Sequence, residues 1–343
     1  MRAVTAGFDR PHLMLPTCEV LMRISTLLFV AALSIVPQTG VAWAAGLRLV
    51  EVPSSQGKPS IRAALWSPCA AAPVDTRIGP FVLPAVRDCD IAEGKYPLVV
   101  ISHGFEGTYL SHRDTATALA DAGFLVVAIN HPGDSALDMT RAGEVSALTE
   151  RPSDVIRLLD HLLGDWTDRR FIDADKIGVF GFSRGGYTAL LLAGAVADWK
   201  NATLPCLEGK ATVCAGIKEE GVGMQGAFRD ARVKAVSVAD PLNAFPDADD
   251  LRAITIPVQL WQSERGGDGV TPEDIAALRD NLPAKPEFHT VDGAGHFSFV
   301  APCPAEMAEM APQVCGDEKG FDRVAFHRTL NEGVVAFFKA SLR

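Results

Sequence analysis

KIGVFGFSRGGYTALLLAGA, residues 176–195, passes from one apolar run into another through Gly181-Phe182-Ser183-Arg184-Gly185, with no polar loop between. The first run is short and nearly continuous in apolar residues, which predicts a strand covered on both faces; the second has the length and spacing of a helix. A strand that turns directly into a helix strains the backbone at the turn and crowds side chains two positions to either side. Gly181 and Gly185 remove that crowding, so the spacing predicts an elbow that exposes the Ser183 hydroxyl. The helix opening at Arg184 then directs free N–H groups and its positive dipole end at the same place, favouring negative charge that develops there.

Working outward, LRLVEV, IRAALW, PLVVIS, FLVVAIN, KIGVFGF, VKAVSVA, IPVQLWQ and EFHTV read as eight strands. The first two alternate apolar and polar residues, as an antiparallel edge pair does, whereas PLVVIS, FLVVAIN and IGVFGF are nearly all apolar, as central parallel strands are. Between them lie helical patterns: SHRDTATALADAG ending at Gly123, a run opening at Pro152 and Ser153, the run after Ser183, one capped by Thr271, and the C-terminal stretch from Asp322. Alternating strand and helix specify an α/β doubly wound sheet, mostly parallel and eight-stranded, with helices on both faces. In such a sheet the ligand site lies beyond the carboxyl ends of the strands.

Composition bounds the rest. A chain of 343 residues, 48% hydrophobic and 22% charged, has an ordinary globular balance. Its 42 acidic against 32 basic residues, a formal charge of -10, leave no electrostatic footprint for nucleic acid or anionic membrane surfaces. From Met22, MRISTLLFVAALSIVPQTGVAWAAG has a basic residue, a short apolar run and an Ala42-Trp43-Ala44 cleavage pattern, which reads as a signal peptide. Residues 1–21, with Pro11, His12, Pro16 and Cys18, do not, which places the translation start at Met22. The run from Leu27 to Val36 is shorter than the ~20 residues of a spanning helix, so no stable membrane anchor is expected. Residues 1–44 are thus read as a leader region and 45–343 as one domain, exported to the periplasm or beyond. Without Cys18 six cysteines remain, and pairing neighbours gives Cys69–Cys89, Cys206–Cys214 and Cys303–Cys315 as disulfides. No CxxC or His-x3-His spacing points to zinc. Residues 201–230 and 302–320 interrupt the strand and helix pattern, each holding a cysteine couple, and could shape a pocket or serve as surface excursions.

A serine hydroxyl needs a base to become a nucleophile, and in this strand order the base follows it in the chain. His296, in TVDGAGHFSF after the last strand, sits on a glycine-flanked loop suited to that task; His161, His289 and His327 fall inside regular elements. The carboxylate that orients it has three candidates: Asp268, on the loop before the Thr271 cap, is the first choice, Asp240 in VSVADP the second and Glu264 the third. SHGFEG, residues 102–107, follows the third strand and supplies an oxyanion segment, with the N–H groups of Phe105 and Arg184 as donors. His103 reads as a brace for that segment, and His131, at the end of the next strand, either as a residue at the mouth of the site or as a structural one.

In their order along the chain, VVISHGFEGT, LADAGFLVVAINHPG, IGVFGFSRGGYTALLLAG, IPVQLWQSE, GAGHFSFVAPC and GFDRVAFHRTLNEGVVAFF resemble the α/β-hydrolase superfamily. Within it the chain is similar to the exported dienelactone-hydrolase-like group, which is itself similar to platelet-activating-factor acetylhydrolases and bacterial cutinases. The resemblance implies an α/β-hydrolase fold, Ser183 as nucleophile, His296 as base, and Phe105 and Arg184 as oxyanion donors. Asp268 matches the acid position of the cutinase-like pattern and Asp240 that of the acetylhydrolase-like pattern, so the acid stays open between them. Dienelactone hydrolases carry cysteine at the elbow where this chain has Ser183, so their substrate does not transfer. A serine with histidine and carboxylate implies carboxylic-ester hydrolysis through an acyl-enzyme, with no metal or cofactor, on a small or polymeric ester. Amide or peptide hydrolysis on the same residues is the alternative, and a non-catalytic binding protein on a hydrolase fold the more distant one.

Overall fold

A computed structural model describes residues 44–55, 57–202 and 228–343. The leader reading, the Cys206–Cys214 couple and most of the 201–230 excursion fall outside these residues. All eight predicted runs are strands: β1 (Ala44–Val52), β2 (Ile61–Cys69), β5 (Tyr96–Ser102), β6 (Leu125–Ile129), β7 (Ile172–Phe182), β8 (Val233–Ala239), β9 (Val258–Ser263) and β10 (Glu287–Val291). Two more, β3 (Asp75–Ile78) and β4 (Phe81–Arg87), raise the expected eight to ten, in the order β10-β9-β8-β7-β5-β6-β2-β1-β4-β3.

The extra strands form an antiparallel hairpin, Asp75 opposite Pro84, that lies against β1. Pro84 cannot donate a ladder hydrogen bond and β3 is only four residues long, so neither segment carries a strong strand signal. β1 and β2 pair antiparallel as expected, from Ala44 with Cys69 to Val52 with Ile61, but the hairpin moves the sheet edge away from them. The Cys69–Cys89 disulfide is present and closes the segment that holds this hairpin; Cys303–Cys315 is present as well.

From β5 to β10 the sheet is parallel, and its central strands show why their sequences are apolar throughout. Leu98 and Val100 of β5, with Val127 of β6 and Val179 of β7, face one core. Their chain neighbours Val99, Ile101, Val126 and Phe180 face the other. Side chains alternate across a strand, so a strand covered on both faces needs apolar residues at every position. One core is closed by Leu158 and Leu162 of α2 (Arg151–Gly164) and Leu190 of α3 (Arg184–Ala193). The opposite core is closed by Leu119 of α1 (Arg113–Asp121) and by Leu330 and Phe338 of α5 (Arg323–Ser341). Each fully buried leucine of this kind contributes about 2 kcal/mol from lost contact with water.

The predicted Thr271 cap forms, the hydroxyl accepting a hydrogen bond from the Asp274 N–H at the start of α4 (Pro272–Asn281); Asp322 likewise accepts one from the Ala325 N–H at the start of α5. No helix among the described residues is long and apolar enough to cross a membrane.

Candidate active site

The elbow forms where the sequence places it. Ser183 follows the last residue of β7 and precedes the first of α3, at φ 54 and ψ −119, a region that non-glycine residues rarely adopt. The strain is held by backbone bonds to the strand end beside it. The Ser183 N–H donates to the Ala239 carbonyl at 3.0 Å, and the Ser183 carbonyl accepts from Leu242 and from Tyr187, each at 3.0 Å. A Cβ at Gly181 would overlap the Gly185 carbonyl, and one at Gly185 would overlap the Ser102 carbonyl of β5. The two glycines are therefore required by space. Ser183 as a residue keeps 6% of its surface, so the elbow lies in a sheltered position.

The bonds to Ala239 and Leu242 bring the elbow against the end of β8, and Asp240 is the next residue there. Its Oδ2 lies 3.2 Å from His296 Nδ1, with both side chains buried. Its Oδ1 accepts from the Ser263 N–H at 2.8 Å and its Oδ2 from the Ser263 hydroxyl at 2.5 Å. Ser263 thus donates to both oxygens of Asp240, and a hydrogen bond across the contact with His296 has Nδ1 as its donor, since a carboxylate only accepts. Nε2 then bears the lone pair; it is buried and has no hydrogen-bond partner among the described residues. The imidazole stacks at a tilt on Phe182, ring centroids 4.6 Å apart, which sets it beside the elbow. Its backbone is fixed too: the His296 N–H donates to the Gly266 carbonyl at 2.7 Å, while the Gly266 N–H donates to the Ser263 hydroxyl at 3.1 Å. Ser263 thus ties Asp240, the turn after β9 and His296 into one cluster, and nothing in the sequence singles it out.

The first-choice acid lies elsewhere. Asp268 is exposed, at φ 47, and makes no hydrogen bond to His296 among the described residues; its charge acts instead on Arg184. Glu264 is exposed and accepts from the Gly293 N–H at 2.6 Å, bracing the turn that leads to His296. Of the three carboxylates, the structure brings only Asp240 to the imidazole. The other candidate histidines have separate partners. His289 stacks on Trp261 with centroids 4.0 Å apart, and His327 bonds Asp114 at 2.6 Å and the Ser298 carbonyl at 2.9 Å.

The SHGFEG segment folds as a tight turn in which the Gly107 N–H donates to the Gly104 carbonyl at 3.2 Å. It comes close to the elbow: a Cβ at Gly104 would lie 3.0 Å from the Phe182 ring and 3.2 Å from Ser183 Cβ. The two candidate oxyanion residues meet, the Arg184 guanidinium standing 4.2 Å over the Phe105 ring. Arg184 opens α3, so its N–H has no carbonyl of the helix to reach. His103 braces the turn through Nδ1, 2.7 Å from the Gly104 carbonyl, and burial, then the Arg151 charge, pushes its pKa well below 6.5. A neutral ring with the proton on Nδ1 leaves Nε2 to accept the His131 N–H at 3.3 Å. His131 is fully buried, between the Ser102 hydroxyl at 2.9 Å and Asp154 at 3.2 Å, which fits the structural alternative. Among the described residues no group of three or more His, Cys, Asp or Glu converges to hold a metal ion.

Comparison with known proteins agrees with this architecture. Residues 95–206, from β5 through the elbow, match a family model described as serine aminopeptidase, S33. A probable 2-oxo-3-(5-oxofuran-2-ylidene)propanoate lactonase of a Bradyrhizobium species is 28% identical over 106 residues, covering 30% of this chain and 43% of that protein. The chain therefore spans less than half the length of this relative. Among solved structures, a ferulic acid esterase from Streptomyces cinnamoneus superposes with a TM-score of 0.58 at 22% identity, over 90% of this chain and 92% of the other. The strand order and the serine elbow at the carboxyl end of β7, with the likeness to the ferulic acid esterase, show that the chain has the α/β-hydrolase fold.

Proposed function

We propose that the protein is a serine hydrolase that cleaves carboxylic esters, with Ser183 as nucleophile, His296 as general base and acid, and Asp240 as the carboxylate that orients it. The observation that carries this reading is the 3.2 Å contact between His296 Nδ1 and Asp240. With the proton fixed at Nδ1, the basic nitrogen is the buried, unpartnered Nε2 beside the elbow. In the reaction Ser183 Oγ bonds to the acyl carbon as its proton passes to Nε2. The oxyanion forms against the N–H groups of Phe105 and Arg184. Collapse breaks the bond to the leaving oxygen, which takes the proton from Nε2 and departs as an alcohol. A water then attacks the acyl-enzyme, giving its proton to Nε2; Ser183 recovers that proton as the carboxylic acid leaves.

The esterase and lactonase likenesses support ester chemistry, and the aminopeptidase description of the matched family favours amide hydrolysis as the second reading. The substrate is a small or polymeric ester. The leader pattern and the two disulfides support export to an oxidising compartment. A pair of substrates sharing one acyl group separates the two chemistries, because an amine leaving group depends more heavily on protonation. Turnover of p-nitrophenyl acetate is expected to exceed that of p-nitroacetanilide by about 100-fold or more in kcat/KM. The reverse preference would replace the ester reading with the amide one.

A further inference from the structure

Arg151 is the first residue of α2, a position where the positive end of the helix dipole disfavours a cation, yet its side chain is 1% exposed. All three of its nitrogens donate. Nε donates to Asp134 Oδ2 at 2.7 Å, Nη1 to the His103 carbonyl at 2.6 Å, and Nη2 to the Gly104 carbonyl at 3.2 Å and the Asp134 carbonyl at 3.4 Å. Asp134, also 1% exposed, accepts through its other oxygen from Arg184 Nη1 at 3.0 Å. Arg184 Nη1 reaches the Ala142 carbonyl at 3.4 Å as well. Burying three charges costs several kcal/mol per ion, and apolar side chains of similar volume would fill the space at least as favourably. The bonds these groups make account for that expense.

In a trans peptide the carbonyl and the next N–H point to opposite sides. The Gly104 carbonyl is held by Arg151, by His103 Nδ1 and by the Gly107 N–H. The following N–H, that of Phe105, is thereby turned the other way, and the peptide before it is held equally by Arg151 on the His103 carbonyl. The second donor belongs to Arg184, whose side chain ends on the same Asp134. One buried carboxylate therefore links the turn that carries one donor to the helix start that carries the other. We propose that Arg151 and Asp134 are positioning residues that set the two N–H groups of the oxyanion site at a fixed separation. This rests on the serine-hydrolase reading given above.

The test is Arg151→Met, read by kcat, KM and inhibition by an alkyl boronic acid, which forms a tetrahedral adduct on the serine. Loss of alignment is expected to lower kcat for p-nitrophenyl acetate about 100-fold and weaken the boronate by a similar factor, with KM within about threefold. A purely structural role would lower the melting temperature and leave the kcat-to-KM pattern and boronate affinity unchanged; that result overturns the proposal. Should Arg151→Met fail to fold, Arg184→Met keeps the Arg151–Asp134 pair and its carbonyl bonds. It is expected to lose about tenfold in kcat and in boronate affinity together. Unchanged values in a folded Arg184→Met enzyme overturn the proposal too. If the wild-type protein neither turns over the ester nor binds the boronate, the serine-hydrolase reading fails and this proposal falls with it; an active wild type with unaffected variants sinks the positioning role alone.

Discussion

Asp240 sits at φ 38, just past the last residue of β8, and the left-handed turn there directs its carboxylate to Ser263 and His296. Aspartate tolerates that backbone better than most residues because its short polar side chain bonds locally. Replacing it with asparagine keeps the shape but presents an amide N–H₂ or a neutral oxygen to Nδ1, which loosens control of the imidazole tautomer. Asp240→Asn is expected to lower kcat by about 10³- to 10⁴-fold, whereas Asp268→Asn should change it by no more than about threefold. Steady-state rates with one p-nitrophenyl ester distinguish them; the opposite pattern would return the acid to Asp268. From the sequence Asp268 ranks before Asp240, both being loop residues after strands; the structure brings Asp240 to the imidazole instead, because the contact depends on which strand end lies next to the His296 turn. The elbow at Ser183 and the turn at His296 were legible because each is local: one is spaced by glycines and the other flanked by them. Ser263, Asp134 and Arg151 act through partners distant in the chain, and only the cation at the start of α2 left a trace in the sequence.

Among the elements, α1 and α5 pack side by side beneath the turn that carries His296, and a polar cluster joins them. His327 of α5 bonds Asp114 of α1 at 2.6 Å, Asn331 bonds the same oxygen at 2.9 Å, and the far side of His327 reaches the Ser298 carbonyl at 2.9 Å. Burial alone would raise the Asp114 pKa, but the hydrogen bond and charge of His327 and the bond from Asn331 prevail, lowering it from 3.8 to about 2. A carboxyl whose folded pKa is depressed adds stability above its unfolded pKa and loses it as pH falls through the folded one. For Asp114 this amounts to about 2 kcal/mol, complete above pH ~4 and gone near pH 2. Urea unfolding of the wild type and Asp114→Asn should therefore show a gap near neutral pH that narrows steadily below pH 4. A gap independent of pH would mean that packing, not charge, joins the two helices. The helices themselves were legible from apolar spacing and caps; their pairing was not, because a sequence shows which face is apolar but not what covers it.

At the scale of the whole molecule, the ten-stranded sheet brings β5, β7, β8 and the segment after β10 to one edge, so residues from 105 to 296 converge. The strands themselves were readable, because continuous apolar runs mark central ones and alternating runs mark the antiparallel pair, but their order was not. The β3–β4 hairpin was hidden by Pro84 and by its shortness, although the cysteines that enclose it were not. Each disulfide closes a short loop, with sequence separations of 20 and 12, and by chain entropy adds about 3 kcal/mol. Calorimetry with and without a reductant should show a lower melting temperature on reduction, and an unchanged one would mean the bridges add no net stability. The most direct test of the central claim is mass spectrometry of the protein after reaction with a fluorophosphonate. A single adduct on the peptide containing Ser183, abolished in Ser183→Ala together with ester turnover, is the predicted result. Ester turnover that survives in Ser183→Ala, or an active wild-type protein that carries its adduct on another residue, would contradict it.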